Sequence, residues 1–339
     1  MLSEKTILLF YKDFECDRFF RNDRYLKRLV RPLFRHFGKG PKVTGFYVWY
    51  QLLIEALRIQ GYDVRCNDYR TARANPNHPV GILGYPHVLD SWDLPNPAVL
   101  GPGLYDHPAL APNLMQDTRF RFFILTCDWM MQMFKPAYGA ACVSWHAGIE
   151  IDKWPDMHSL PKTNDVLIYD KIRWNRDRYE PELLLPIKDA LRRKGLRFEI
   201  IRYGAYDHSL YRKMLTESRA LLFLCEHETQ GMAYQEAMAA NVPVLTWDNG
   251  YWLDPRRPEF EANPVPATSV PYFSAECGER FRSFEDFPEI LDQFWAKLPE
   301  YAPRRYVERE LSQESSALKY VQVYKMASEE RRLTPEECR

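Results

Sequence analysis

The chain has 339 residues, 46% of them hydrophobic and 27% charged, which suits a soluble globular protein and is long enough for two domains with cores of their own. Its 46 basic and 46 acidic residues cancel to a formal net charge of zero, so the overall cationic bias of a nucleic-acid-binding protein is missing and no nucleic-acid partner is expected. Seven scattered cysteines with no CxxC pair argue against a disulfide framework and read as reduced thiols of a cytoplasmic protein. The opening Met1-Leu2-Ser3-Glu4-Lys5-Thr6 lacks a signal-peptide pattern, and the apolar run that follows is far too short to span a bilayer.

In chain order, residues 6–11 predict a buried strand, 46–60 an amphipathic helix and 61–65 a turn into a second strand, together a strand, crossover helix and strand. Residues 18–42 carry nine lysines and arginines with Asp23 as the one acid, interleaved with Phe19, Phe20, Tyr25, Leu29, Phe34 and Phe37. Such a segment is either a partly solvated helix or a peripheral contact for an anionic membrane or acidic acceptor. Further strands are expected at 80–83, 98–100, 122–126 and 141–145, with a helix near 129–134 and a linker at 155–161. A boundary near residue 160 follows. Beyond it come a strand at 165–169, a loop bearing Lys171, Arg173, Arg176 and Arg178, a helix opened by Glu180-Pro181 and closed before Gly195, and a strand at 197–202.

The most informative stretch is 220–246. An apolar strand ends at Cys225, Glu228-Thr229-Gln230-Gly231 makes the loop, Met232 to Ala240 is rich in helix formers, and Asn241 tolerates the left-handed position that ends a helix. Val242-Pro243-Val244-Leu245 then begins another buried strand. Glu228 and Glu236 stand eight residues apart, a helical rise of about 12 Å, too far to share a proton. Between them lies a helix N-terminus, whose free N–H groups and positive dipole favour an anion. A diphosphate held there would have a carboxylate near each end to accept sugar hydroxyls, as a nucleotide sugar requires.

Glu228-Thr229-Gln230-Gly231, with Glu236-Ala237-Met238-Ala239 and Val242-Pro243-Val244, resembles the donor motif of glycosyltransferase family 4, retaining enzymes of the GT-B fold. Cys225 stands where a serine is common and Asn241 where a glycine is. The resemblance implies an α/β protein of two Rossmann-like doubly wound domains around a cleft: an acceptor-side domain over 1–160, a donor domain over 161–280, and C-terminal helices over 281–339 that partly pack back on the first. It implies transfer of a hexose from a nucleoside diphosphate sugar to a glycan, a lipid-linked acceptor or a small molecule. A nucleotide-sugar epimerase or hydrolase of the same fold, or a non-catalytic nucleotide-sugar-binding protein, are the alternatives.

By the same resemblance Glu228 contacts the transferred sugar, Glu236 binds the ribose, and the backbone near Thr229, Gln230, Gly231 and Met232 holds the diphosphate. Of the four loop cations, Lys171 and Arg173 are nearest the strand end and are favoured for the diphosphate; the other reading is a solvated loop. Tyr203 either stacks on the nucleobase or caps the sheet. In the first domain Gly45 is what survives of a glycine-rich turn beside the acceptor. His107 lies in the region where some family members place a histidine near the reacting sugar, with His87 as its competitor. The eight histidines show no HExxH or paired-cysteine spacing, so no metal or other cofactor is expected. The aromatic loop 247–252 is expected to pack rather than close over the donor.

Overall fold

Alternating apolar strands and helices fold into two all-parallel sheets in a computed structural model that describes residues 2–12 and 45–329; the basic segment 18–42 lies outside those residues. The first sheet contains β1 (Thr6–Lys12), β2 (Asp63–Cys66), β3 (Val80–Gly84), β4 (Ala98–Leu100), β5 (Phe120–Leu125) and β6 (Cys142–Ser144), in the order β2-β1-β3-β4-β5-β6. The second contains β7 (Asn164–Lys171), β8 (Phe198–Arg202), β9 (Ser218–Cys225), β10 (Val244–Trp247) and β11 (Gly278–Phe281), in the order β11-β10-β9-β7-β8. Strands joined by helices run parallel because the crossover returns the chain to the same end of the sheet.

Contacts divide the chain into two compact units, one made of residues up to Leu125, Phe134–Ala147 and Ser316 onward, the other of Thr126–Met133 and Gly148–Ser315. In the second unit the two-residue period of β7 and β9 sends alternate side chains to opposite faces. Leu167, Tyr169, Leu221 and Phe223 pack with Tyr211, Leu215, Tyr234 and Met238 on one face. Val166, Ile168, Leu222 and Leu224 pack with Ile187, Leu191, Leu291 and Phe294 on the other. Both faces are covered, which is why these strands read as unbroken apolar runs.

Three expectations need correction. The helix placed at Glu180-Pro181 starts earlier, at Arg176–Tyr179, and passes through a π turn at Glu180–Leu184 before Leu185–Arg193. Pro181 has no N–H, and the wider turn absorbs that missing donor without ending the helix. The strand expected from 242 begins at Val244, because Asn241 takes the left-handed conformation (φ 58°) and Val242 N–H still bonds back to Ala237 O. The C-terminal helices expected from 281 start at Phe287 and are, among the described residues, Phe287–Ala296, Pro303–Glu310 and Gln313–Met326, broken first around Pro299, with Pro303 opening the second helix, and again at Leu311-Ser312. Helix His208–Glu217 and strand β11 were not expected; β11 buries only Gly278 and Phe281, too little for an apolar pattern. No helix among the described residues is long and apolar enough to cross a membrane.

Candidate functional site

Within the second sheet, β7 lies between β8 and β9, so the chain leaves the carboxyl ends of β7 and β9 toward opposite faces. In open parallel sheets that switch point is where a ligand crevice forms. Lys171 and Cys225 are the last register pair of these two strands. The loops that follow them carry Arg173, Trp174, Glu226, His227 and Glu228.

Glu226 ties the two loops together. Its side chain is fully buried, and Oε1 accepts the N–H groups of Arg173 at 2.7 Å and Trp174 at 2.8 Å. The Arg173 guanidinium lies 3.5 Å from its other oxygen and donates to His227 O at 3.0 Å. His227 is stacked on Trp174 at 5.3 Å, with the edges of Trp129 and Trp252 around it. Burial first, then the charges of Arg173 and Lys171, push this imidazole down to about 3, so it is neutral. Trp252 is buried here and Trp247 is buried under the sheet, donating to Arg282 O. The loop's two tryptophans pack, as expected.

Glu228 is held by its backbone on both sides: its N–H donates to Thr268 O at 3.0 Å, and its carbonyl accepts the Trp129 indole N–H at 2.9 Å. Its carboxylate pairs with the Lys171 ammonium and takes a longer contact from Cys225 Sγ at 3.4 Å. The Lys171 and Glu228 side chains are only 14% and 11% exposed. Burial pulls the lysine pKa down, but the neighbouring Glu228 carboxylate more than offsets this and leaves it above the ordinary value. Lys171 also sits 4.5 Å over the ring of Tyr203, which is 53% exposed. Arg176 pairs with Asp170 and Glu180, and Arg178 with Glu182. Lys171 and Arg173 are therefore the loop cations that reach the two buried glutamates.

Gly231 turns the loop into helix Met232–Ala239 with φ +82°. A Cβ there would stand 2.2 Å from the Tyr234 ring and 3.3 Å from Glu228 Cγ, so the close turn admits only glycine. Gln230 is buried and its amide interlocks with that of Gln235, while Thr229 and Met232 remain partly exposed at the helix mouth. The first N–H groups of the helix have no partner within it. From the second turn, Glu236 accepts from His208 Nε2 through both oxygens at 3.1 Å. Lys171, Arg173, Glu228 and Gly231 thus gather at the second unit's switch point, with Glu236 on the helix that Gly231 opens.

His107 and Gly45 belong to the first unit. His107 is buried and its Nδ1 accepts the Ala109 N–H at 3.2 Å, which leaves the proton on Nε2. Gly45 is exposed and opens helix Gly45–Ile59, and no atom of the described residues lies within 4 Å of where a Cβ would stand. Glu226, His208 and the Trp129, Trp174 and Trp252 cluster were not singled out from the sequence as site residues. A strand-end acidic residue two before Glu228 and the Asp207 cap before His208 were the available signals.

No protein-family model and no curated protein sequence matches this chain. Among solved structures it is similar to S. aureus TarM, as a point mutant in complex with fondaparinux, alpha-GlcNAc-glycerol and UDP, with TM-score 0.51 and 10% identity over 72% of this chain and 55% of that one. A second TarM structure gives TM-score 0.53 and 11% identity over 76% of this chain and 56% of TarM. The chain spans just over half the length of these relatives. At this identity the likeness shows the fold alone, which is α/β and of the GT-B type.

Proposed function

We propose that the protein is a retaining glycosyltransferase that moves a hexose from a nucleoside diphosphate sugar to the hydroxyl of a glycan, lipid-linked or small-molecule acceptor. The observation that carries this reading is the Lys171–Glu228 pair at the carboxyl ends of β7 and β9, beside the mouth of the helix that Gly231 opens and that carries Glu236. Three kinds of group that a nucleotide sugar needs meet there: cations and amides for phosphate, a carboxylate for the hexose, and a carboxylate for the ribose.

In this mechanism the diphosphate takes the helix N–H groups and draws the Lys171 ammonium toward it, with Arg173 beside it. Glu228 is then released to accept hexose hydroxyls, a contact that tightens as positive charge develops on the sugar. Charge on the departing diphosphate is met by the two cations and the helix amides, so the reading calls for no metal. Tyr203, exposed beside Lys171, is the residue that stacks on the base in this reading. His107, as an Nε2 donor, and Gly45 keep the reacting-sugar and acceptor-side roles that the family resemblance implies.

A thermal-shift panel of UDP, GDP, ADP, CDP and their sugars tests the donor site. Saturation at 100 times the dissociation constant stabilises by about 2.7 kcal/mol; one nucleoside family should raise the melting temperature, and Glu236→Ala should abolish that shift. No shift with any of them refutes the reading. Glu228→Gln should lower kcat about 100-fold or more with nucleotide affinity little changed, since its contact belongs to the transition state. The anomer formed, read by NMR, decides retention; an inverted product overturns that part.

A further inference from the structure

Glu236 is not free in the folded protein. Its side chain is 17% exposed, and both oxygens accept the Nε2 proton of His208, whose own side chain is 62% exposed at the start of helix His208–Glu217. The imidazole is braced from behind: the Trp154 ring meets it edge-on at 5.3 Å, and Asp207 caps the helix by accepting Leu210 N–H at 2.8 Å. A carboxylate offers about four lone-pair positions, so one shared N–H leaves room for two hydroxyls.

We propose that His208 is a positioning residue for the donor nucleotide, holding Glu236 ionised and oriented toward the ribose hydroxyls so that binding persists into mildly acidic conditions. This rests on the donor-site reading given above. The chemistry is a difference between two forms of one group. An ionised Glu236 accepts from both ribose hydroxyls; a protonated one loses acceptor capacity and presents a proton instead. Burial pushes the Glu236 carboxyl above its ordinary range, and His208, then Arg212, hold that rise back. Reciprocally, the Glu236 hydrogen bond lifts His208 above its ordinary value against burial and Arg212, with Glu150 adding to the lift. Among the described residues the Tyr206 and Tyr211 hydroxyls also face Glu236, both pushed up by burial and so neutral. Arg212 is tied elsewhere, donating to Lys153 O and lying 4.8 Å over Trp154, and Glu150 is paired with Lys153. Once protonated, His208 is thus the cation hydrogen-bonded directly to Glu236.

The test is titration of the full chain with nucleoside diphosphates from about pH 8 to about pH 5, across the range where histidine changes charge. At the alkaline end His208→Gln should bind nearly as the parent does. Toward acid its affinity should fall progressively further behind, by about tenfold for each unit that the Glu236 pKa rises. Comparing the two proteins with one ligand cancels titration of the phosphates. His208→Arg, which keeps a fixed charge beside the carboxylate, should restore the parent profile. In a Glu236→Gln background His208→Gln should add no pH dependence. If His208→Gln weakens binding equally at every pH, the proposal is wrong while the donor site stands. If the parent binds none of the nucleoside diphosphates, the donor reading fails and takes this one with it.

Discussion

The Lys171–Glu228 pair joins two charges that water barely reaches, and removing either one strands the other. Lys171→Met should destabilise the protein by about 3 kcal/mol in chemical denaturation, and the double variant Lys171→Met with Glu228→Leu should recover much of that loss. A double variant as unstable as the sum of the singles would show that the pair is not coupled. Gly231→Ala forces a Cβ to within 2.2 Å of Tyr234 at a positive φ and should cost about 2 kcal/mol or more while weakening nucleotide binding. At this scale the sequence was informative where spacing carries meaning: Glu228, Gly231 and Glu236 occupy a strand-loop-helix pattern whose geometry follows from the order of residues. Glu226 and His208 were illegible for the opposite reason. Each acts across a gap of 28 to 53 positions, on a partner that only the folded sheet brings near.

Among the elements, helix Gln313–Met326 shows how a long-range contact completes a strand. The β1–β3 register begins at Leu9 with Gly81, one residue past Leu8. The Leu8 N–H donates instead to the Tyr324 hydroxyl at 2.9 Å, and that hydroxyl donates to Pro79 O. Tyr324→Phe should therefore leave a buried N–H and a carbonyl without their partner and cost about 1–3 kcal/mol, measured by urea unfolding; a loss within experimental error would mean the gap is closed by other means. Gly81 has the matching role on the same sheet, since a Cβ there would stand 1.9 Å from Tyr320 Oη. Strands such as β3, β7 and β9 were readable because burial on both faces demands unbroken apolar residues. The π turn around Pro181, and β11 with two buried residues, were not: their hydrogen-bond partners, not their own composition, make them regular.

For the molecule as a whole, buried neutral histidines set the response to acid. His146 in the first unit and His227 in the second are both pushed by burial from 6.5 to about 3. Below 6.5 the unfolded chain takes up these protons and the folded chain does not, so stability falls with pH until about 3, by about 1.4 kcal/mol per pH unit for each group. His208 has the opposite sign, its contribution being complete below 6.5 and lost as pH rises through its raised value. The melting temperature should drop between pH 7 and pH 5, and His227→Phe, which places a ring without a titrating nitrogen among the same three indoles, should make that drop shallower. An unchanged slope would mean that His227 is protonated in the fold.

The first unit is assembled from pieces on either side of the second, since residues up to Ala147 are joined by those from Ser316 on. During synthesis the second unit has all of its residues once Ser315 has emerged, whereas the earlier-made sheet still waits for the Tyr320 and Tyr324 hydroxyls and for cover over Gly81. The earlier-made sheet thus depends on the last residues of its own unit, and a chain truncated after Ser315 should resist protease in its second unit and not in its first.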